Sequence, residues 1–194
     1  HNLDVIPVSE KKKEDGMLLG GREGVKTVVS QKAAITIDHS HYQPSHLGVG
    51  ELRFGQLSGG KSRFLATIEP MHGHQVVIYR PTENAPDSLT PHRMVLDETL
   101  QDGHALACGD FLGLGQDQIV VGWRAMSNRV AKVGIKMFVA KDERGDAWSE
   151  HLIDDNTMAC EDLVLADLDG DGKKEIIASG RRTKNVKVYW NKTP

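Results

Sequence analysis

An all-β fold built from one recurring four-stranded sheet is predicted by three features of the sequence. Short runs rich in β-branched and aromatic residues return along the whole chain, as strands do. Glycine-rich turns punctuate them, among 20 glycines in 194 residues. No stretch shows sustained helical periodicity.

The best-defined unit lies near the C-terminal end. Leu163-Val164-Leu165-Ala166 reads as a strand, Asp167 to Glu175 as a loop, and Ile176-Ile177-Ala178-Ser179-Gly180 as a second strand. The loop places aspartates at alternate positions, glycines where the backbone must turn, and a glutamate at its end. Such spacing suits one hard cation, since calcium takes about six to eight oxygens at roughly 2.3–2.6 Å. Asp167, Asp169, Asp171 and Glu175 are the candidate carboxylate ligands, with the carbonyl of Lys173 as a further one. Without a cation these carboxylates repel one another; the plainer alternative is an acidic surface turn that binds nothing. An EF-hand shares the opening but needs a glutamate at the twelfth position and flanking helices. Ala178 stands there instead and both flanks are strands, so that reading is excluded. From Leu163 to about Trp190 the chain resembles the calcium-loop units of FG-GAP/VCBS repeats, which build integrin-type β-propellers.

Copies of this unit are then expected upstream. Asp110 to Gly122 aligns under Asp167 to Ser179, with Asp110 on Asp167, Gly113 on Gly170, Gly115 on Gly172 and Gln118 on Glu175. This loop keeps the glycines and loses most carboxylates, which predicts a turn without metal. Gly55 to Ile68 is a third copy, also poor in ligands. Its Gly59-Gly60-Lys61-Ser62 suggests a phosphate loop, but Gln56 replaces the required earlier glycine and a strand follows instead of a helix. Asp15 to Val29 is a partial fourth copy. Third strands are expected at Gln75–Arg80, Gly134–Val139 and Asn185–Trp190, and outer strands at Pro91–Leu96 and Trp148–Ile153. Four short antiparallel strands per unit make a propeller blade. The approximate repeats are 1–40, 41–97, 98–154 and 155–194, about three and a half to four blades of a single propeller or propeller portion.

That number is small for a closed ring, for which about four to eight blades are usual. Three arrangements stay open: a portion of a larger ring, which the reading favours; a small ring in which residues 1–8 supply the strand missing after Trp190; or two chains sharing one ring. Residues 9–14, with three consecutive lysines, read as a solvated loop.

A net charge of −3 gives no electrostatic reason for nucleic acid as a partner, and no apolar run approaches the length that spans a bilayer. Two cysteines exclude a disulfide scaffold. Weak calcium sites suit an extracellular or periplasmic setting, with a cytoplasmic one still open.

On this architecture the loops opposite the calcium turn gather at the central mouth. They carry His46, Glu69, His72, His74, His104, Glu161, Asp162 and the arginines Arg22, Arg124, Arg181 and Arg182. Expected catalytic groups are His72, His104 and Glu69; expected ligand-binding groups are His46, His74, Trp123, Arg124, Asp162 and Arg181. The Glu69-Pro70-Met71-His72-Gly73-His74 loop, with His104, could also hold a second metal such as zinc. The plainer alternative is a set of solvated loop histidines, which is the expectation for His39, His41, His92 and His151. Trp148 and Trp190 are expected to pack between blades, and Trp123 to stack on a ligand.

Two functions follow. One is a calcium-stabilised propeller module presenting a His/Glu/Arg-lined face to a carbohydrate or protein partner. The other rests on a further resemblance. The Glu-Pro-Met-His-Gly loop, His104-Ala105 and the calcium loop are together similar to propellers of aldos-2-ulose dehydratase-like sugar lyases. That resemblance implies metal-assisted removal of water from a keto-sugar at the mouth.

Overall fold

The structure, a computed structural model, describes residues 2–9, 14–31, 34–39, 48–57, 59, 62–80 and 92–193. Its strands are β1 (Asn2–Ser9), β2 (Glu14–Gly21), β3 (Gly24–Gln31), β4 (Ala34–His39), β5 (Glu51–Leu57), β6 (Ser62–Glu69), β7 (Gln75–Arg80), β8 (His92–Asp97), β9 (Gly103–Gly109), β10 (Gln118–Trp123), β11 (Gly134–Ala140), β12 (Trp148–Asp155), β13 (Cys160–Ala166), β14 (Glu175–Gly180) and β15 (Asn185–Tyr189). They form four antiparallel sheets in chain order, β1–β4, β5–β8, β9–β12 and β13–β15. Each strand hairpins onto the one before it, as in propeller blades. No helix among the described residues is long and apolar enough to cross a membrane.

The first strand of each sheet is its inner one, and these line up in order: β1 packs on β5, β5 on β9 and β9 on β13. Among the described residues β13 has no comparable packing on β1. The N-terminal stretch does not serve as an outer strand for the last sheet. It pairs with β2, from Asn2 opposite Gly20 to Pro7 opposite Asp15. Its alternation explains the choice: Leu3 and Val5 face away from the second sheet, while an Asp4 carboxylate oxygen accepts the Phe54 amide at 2.9 Å. Ser9 and Glu14, expected in a solvated loop, are strand residues, and 10–13 lie outside the described residues.

Period-2 alternation builds the core. On β6, Phe64, Ala66 and Ile68 join Ile119, Val121 and Phe138 of the third sheet, while Leu65 turns the other way against Leu18 and Val25 of the first. Between the third and fourth sheets Val120, Ile135 and Met137 meet Cys160, Leu163 and Ile176. There Gly122 admits close approach, since a Cβ on it would lie 2.4 Å from Cys160 Sγ. Trp148 packs between blades as expected, its ring 5.4 Å from Phe64 at 76°. Trp190 does not; it is 50% exposed under the Lys192 ammonium.

A repeated ion pair ties sheet to sheet. Lys136 reaches back to Asp97 at 2.9 Å, and Lys187, its counterpart one sheet later, reaches Asp154 at 3.1 Å. The glycine turns also dock on each other: Gln56 and Asp117 exchange two bonds of 2.8 Å, one of them to the Asp117 carboxylate.

Candidate functional site

The turn between β13 and β14 is organised by its own carboxylates. Asp167 accepts the Gly170 amide at 2.7 Å and the Gly172 amide at 2.9 Å, bonds that close only because both glycines adopt positive φ, 78° and 85°. One oxygen each from Asp167, Asp169 and Glu175 lies within 4.8 Å of the others. Asp171 falls outside this trio, and its carboxylate accepts the Lys173 amide at 2.9 Å. Glu175 is 1% exposed. Its Oε2 accepts the Leu168 amide at 2.9 Å, and its Oε1 is buried with no hydrogen-bond partner.

The matching turn of the third sheet shows what normally fills that place. Asp110 again accepts two amides, from Leu114 and Gly115, each at 2.8 Å, with Gly113 and Gly115 at φ 69° and 72°. Gln118 stands where Glu175 does. Its Oε1 accepts the Phe111 amide at 2.7 Å, the counterpart of the Leu168 bond. Its Nε2 then donates to the Gln116 carbonyl at 2.6 Å. The unpartnered Glu175 Oε1 therefore corresponds to a nitrogen that donates, and the Lys173 carbonyl corresponds to its acceptor. Replacing NH₂ by O⁻ leaves acceptors facing acceptors. A cation resolves that conflict; a buried unpaired carboxylate oxygen does not.

At the opposite end of the sheets, the segment leading into each inner strand docks on the preceding hairpin, as where the Gly103 amide donates to the Gly73 carbonyl at 2.9 Å. This brings His72, on the β6–β7 hairpin, onto His104 of β9, with ring centroids 4.6 Å apart and planes within 1°. His104 Nδ1 lies 2.8 Å from the Glu161 carbonyl. Only an N–H can serve a carbonyl, so the proton sits on Nδ1, and in the neutral ring Nε2 keeps its lone pair. Burial, followed by the His104 and Arg124 charges, lowers the His72 pKa and holds it neutral at pH 7. Glu161 Oε1 accepts from Arg124 Nη1 at 2.5 Å, while Glu161 Oε2 and Arg124 Nε are buried without partners. Burial would raise the Asp102 carboxyl, but bonds from the Ser127 hydroxyl and amide, both 2.6 Å, and the Arg124 charge lower it. His72, Ala125 and Lys184 each sit on a hairpin of this rim at positive φ, 51°, 47° and 53°.

The other expected site residues separate. Glu69 is fully buried and engaged elsewhere. It accepts from Thr67 at 2.8 Å, Tyr79 at 2.6 Å and Arg93 at 2.7 Å, a brace across β6, β7 and β8. His74 is exposed, and its carbonyl accepts the Leu100 amide. Trp123 is 7% exposed within the core, its Nε1 donating to the Lys132 carbonyl at 2.8 Å, so it has no open face for a ligand. Asp162 is exposed and bonds the neighbouring Leu163 amide. Arg181 is exposed and, with Glu161 and Lys184, edges a shallow cavity of about 480 Å³. His46 lies outside the described residues. A shared metal on the histidine pair is disfavoured by geometry: imidazole lone pairs lie in the ring plane, and two parallel planes have no point in common. The sole metal-ligand trio among the described residues is at the acidic turn. Both cysteines are free thiols, and burial pushes Cys160 up to about 12.

Asp102 and Ser127 were not marked by sequence, because each is an isolated polar residue on a loop and only the fold places them beside Arg124. No protein-family model matches the chain, and a search of curated proteins finds no match either.

Proposed function

We propose that this chain is a calcium-stabilised β-propeller module. In this reading the rim of His72, His104, Arg124, Glu161 and Arg181 receives a carbohydrate or a protein partner, in an extracellular or periplasmic setting. The observation that carries the calcium assignment is the unpartnered, buried Glu175 Oε1, set where the neighbouring sheet has an amide donor. Support also comes from the resemblance of this turn to FG-GAP/VCBS loops. At the rim the exposed Arg181, with Glu161 and Lys184, edges a shallow cavity whose charged groups suit the hydroxyl or amide groups of a ligand. Calcium titration of chelator-treated protein tests the reading. One site is expected, with a gain of about 2.7 kcal/mol in stability when free calcium is 100 times Kd. Asp169→Asn is expected to abolish both heat and stabilisation. A chain that neither binds calcium nor melts higher in its presence overturns it.

The second reading, elimination of water from a keto-sugar, is favoured by one feature: His72, whose pKa burial lowers, stacked on His104. Either ring could take the proton next to a carbonyl, the C–H electron pair forming the new double bond as the C–O bond of the adjacent carbon breaks, and the imidazolium could return that proton to the leaving oxygen as water. An ultraviolet signal from the conjugated product, lost in His72→Ala and His104→Ala, would establish this reading; its absence across keto-sugars leaves the binding module.

A further inference from the structure

Among the described residues both ends of the sheet row are open, and their open faces are the two halves of one junction. At the far end, Val164 and Val186 are 55% and 70% exposed, beside the partly buried Ile177 and Val188. Their ladder partners place them in register with the third sheet: Ile177 opposite Val188 repeats Val120 opposite Met137, and Ser179 opposite Val186 repeats Gly122 opposite Ile135. In the third sheet these positions are buried against the fourth. The last sheet thus carries the face by which each sheet covers its successor, and among the described residues no successor covers it.

The near end carries the reciprocal face. Leu3, Val5 and Met17 are 55%, 60% and 40% exposed, with Leu19 partly buried. Leu3 opposite Leu19 and Val5 opposite Met17 repeat Leu163 opposite Ala178 and Leu165 opposite Ile176. In the fourth sheet those four residues pack against the third. The first sheet therefore presents the surface by which a sheet receives its predecessor.

We propose that a second copy of this chain occupies both faces, the last sheet of each protomer packing on the first sheet of the other. The occupant is argued from complementarity: one end supplies the donor half, and the other the acceptor half, of a junction that the chain already makes three times. A contact of this head-to-tail kind either closes into a ring or grows into a filament. Two copies bring eight sheets, within the range in which propellers close. Closure also removes the exposed apolar ends, which in an open row invite aggregation.

Light scattering after gel filtration, across micromolar concentrations, tests the proposal independently of calcium. A particle of twice the 21.3 kDa chain mass is expected. Val164→Asp with Val186→Asp, both at exposed positions, should weaken the dimer by at least about a hundredfold, since charge would be buried unpaired. Val130→Asp, at a residue 95% exposed and away from both faces, should leave the mass unchanged. A monomer at all concentrations, species that grow without limit, or a dimer indifferent to the double substitution would each overturn it.

Discussion

Glu175 and Gln118 differ by one atom at the same place in two successive sheets, and that atom separates a self-satisfied turn from an unsatisfied one. Gln118 donates to the Gln116 carbonyl, whereas Glu175 Oε1 has no donor. Glu175→Gln should therefore let the amide donate to the Lys173 carbonyl. Without calcium the variant should melt about 2–4 °C above the metal-free parent, the shift that about 1 kcal/mol produces in a domain of this size. With calcium it should gain nothing. Thermal melts of both proteins, with and without chelator, check this; a metal-free variant less stable than the parent would remove the acceptor-against-acceptor account. The clustering of Asp167, Asp169 and Glu175 was legible in sequence because the order of residues along a short loop is itself the geometry. Asp171 was not, since its carboxylate turns to the Lys173 amide instead. Glu69 was misread for a related reason. A glutamate beside two histidines in sequence lies at the end of β6, and strand alternation carries its side chain into the sheet toward Tyr79 and Arg93.

At the scale of elements, the repeat was legible where glycine turns and apolar alternation coincide, in the second, third and fourth sheets. The first sheet was read only in part, because the link between β1 and β2 has lysines in place of a glycine turn. Trp123 misled because an aromatic beside an arginine suits a ligand face, yet its strand position points it into the core. What joins elements was also hidden, since Asp97–Lys136 and Asp154–Lys187 connect distant segments. The second pair gives a pH prediction. Burial alone would raise the Asp154 carboxyl, but bonds from Thr157, Tyr189 and Lys187 bring it down to about 2 from 3.8. A depressed carboxyl adds stability that is present above pH 3.8 and lost as pH falls through about 2, worth about 2 kcal/mol. Asp154→Asn should lower stability by about that much at pH 7, and its loss of stability between pH 4 and 2 should be shallower than the parent's. Denaturant unfolding across that range is the check. Parallel acid limbs would mean that Asp154 is not held as described.

For the whole molecule, stability should be graded along the row of sheets. The second and third sheets are covered on both faces, by the clusters around Leu65 and Tyr79, Phe64 and Ile119, and Val120 and Met137. Among the described residues the fourth has three strands and is covered on one face. It also holds the acidic turn, whose buried Glu175 costs free energy unless a cation sits beside it. Removing calcium should therefore loosen this sheet before the rest, because local opening there gives up fewer contacts than global unfolding. The Asn191 side chain ties the end of this sheet to the turn of the third, donating to the Phe111 carbonyl and, at 3.4 Å, to the Lys174 carbonyl. Hydrogen exchange read by mass spectrometry should show β13, β14 and β15 losing at least about tenfold in protection on chelation. Peptides of β6, β7, β10 and β11 should change little. Equal loss across all sheets would show instead that the molecule opens as one unit, and that the acidic turn governs the stability of the whole row rather than of its last member.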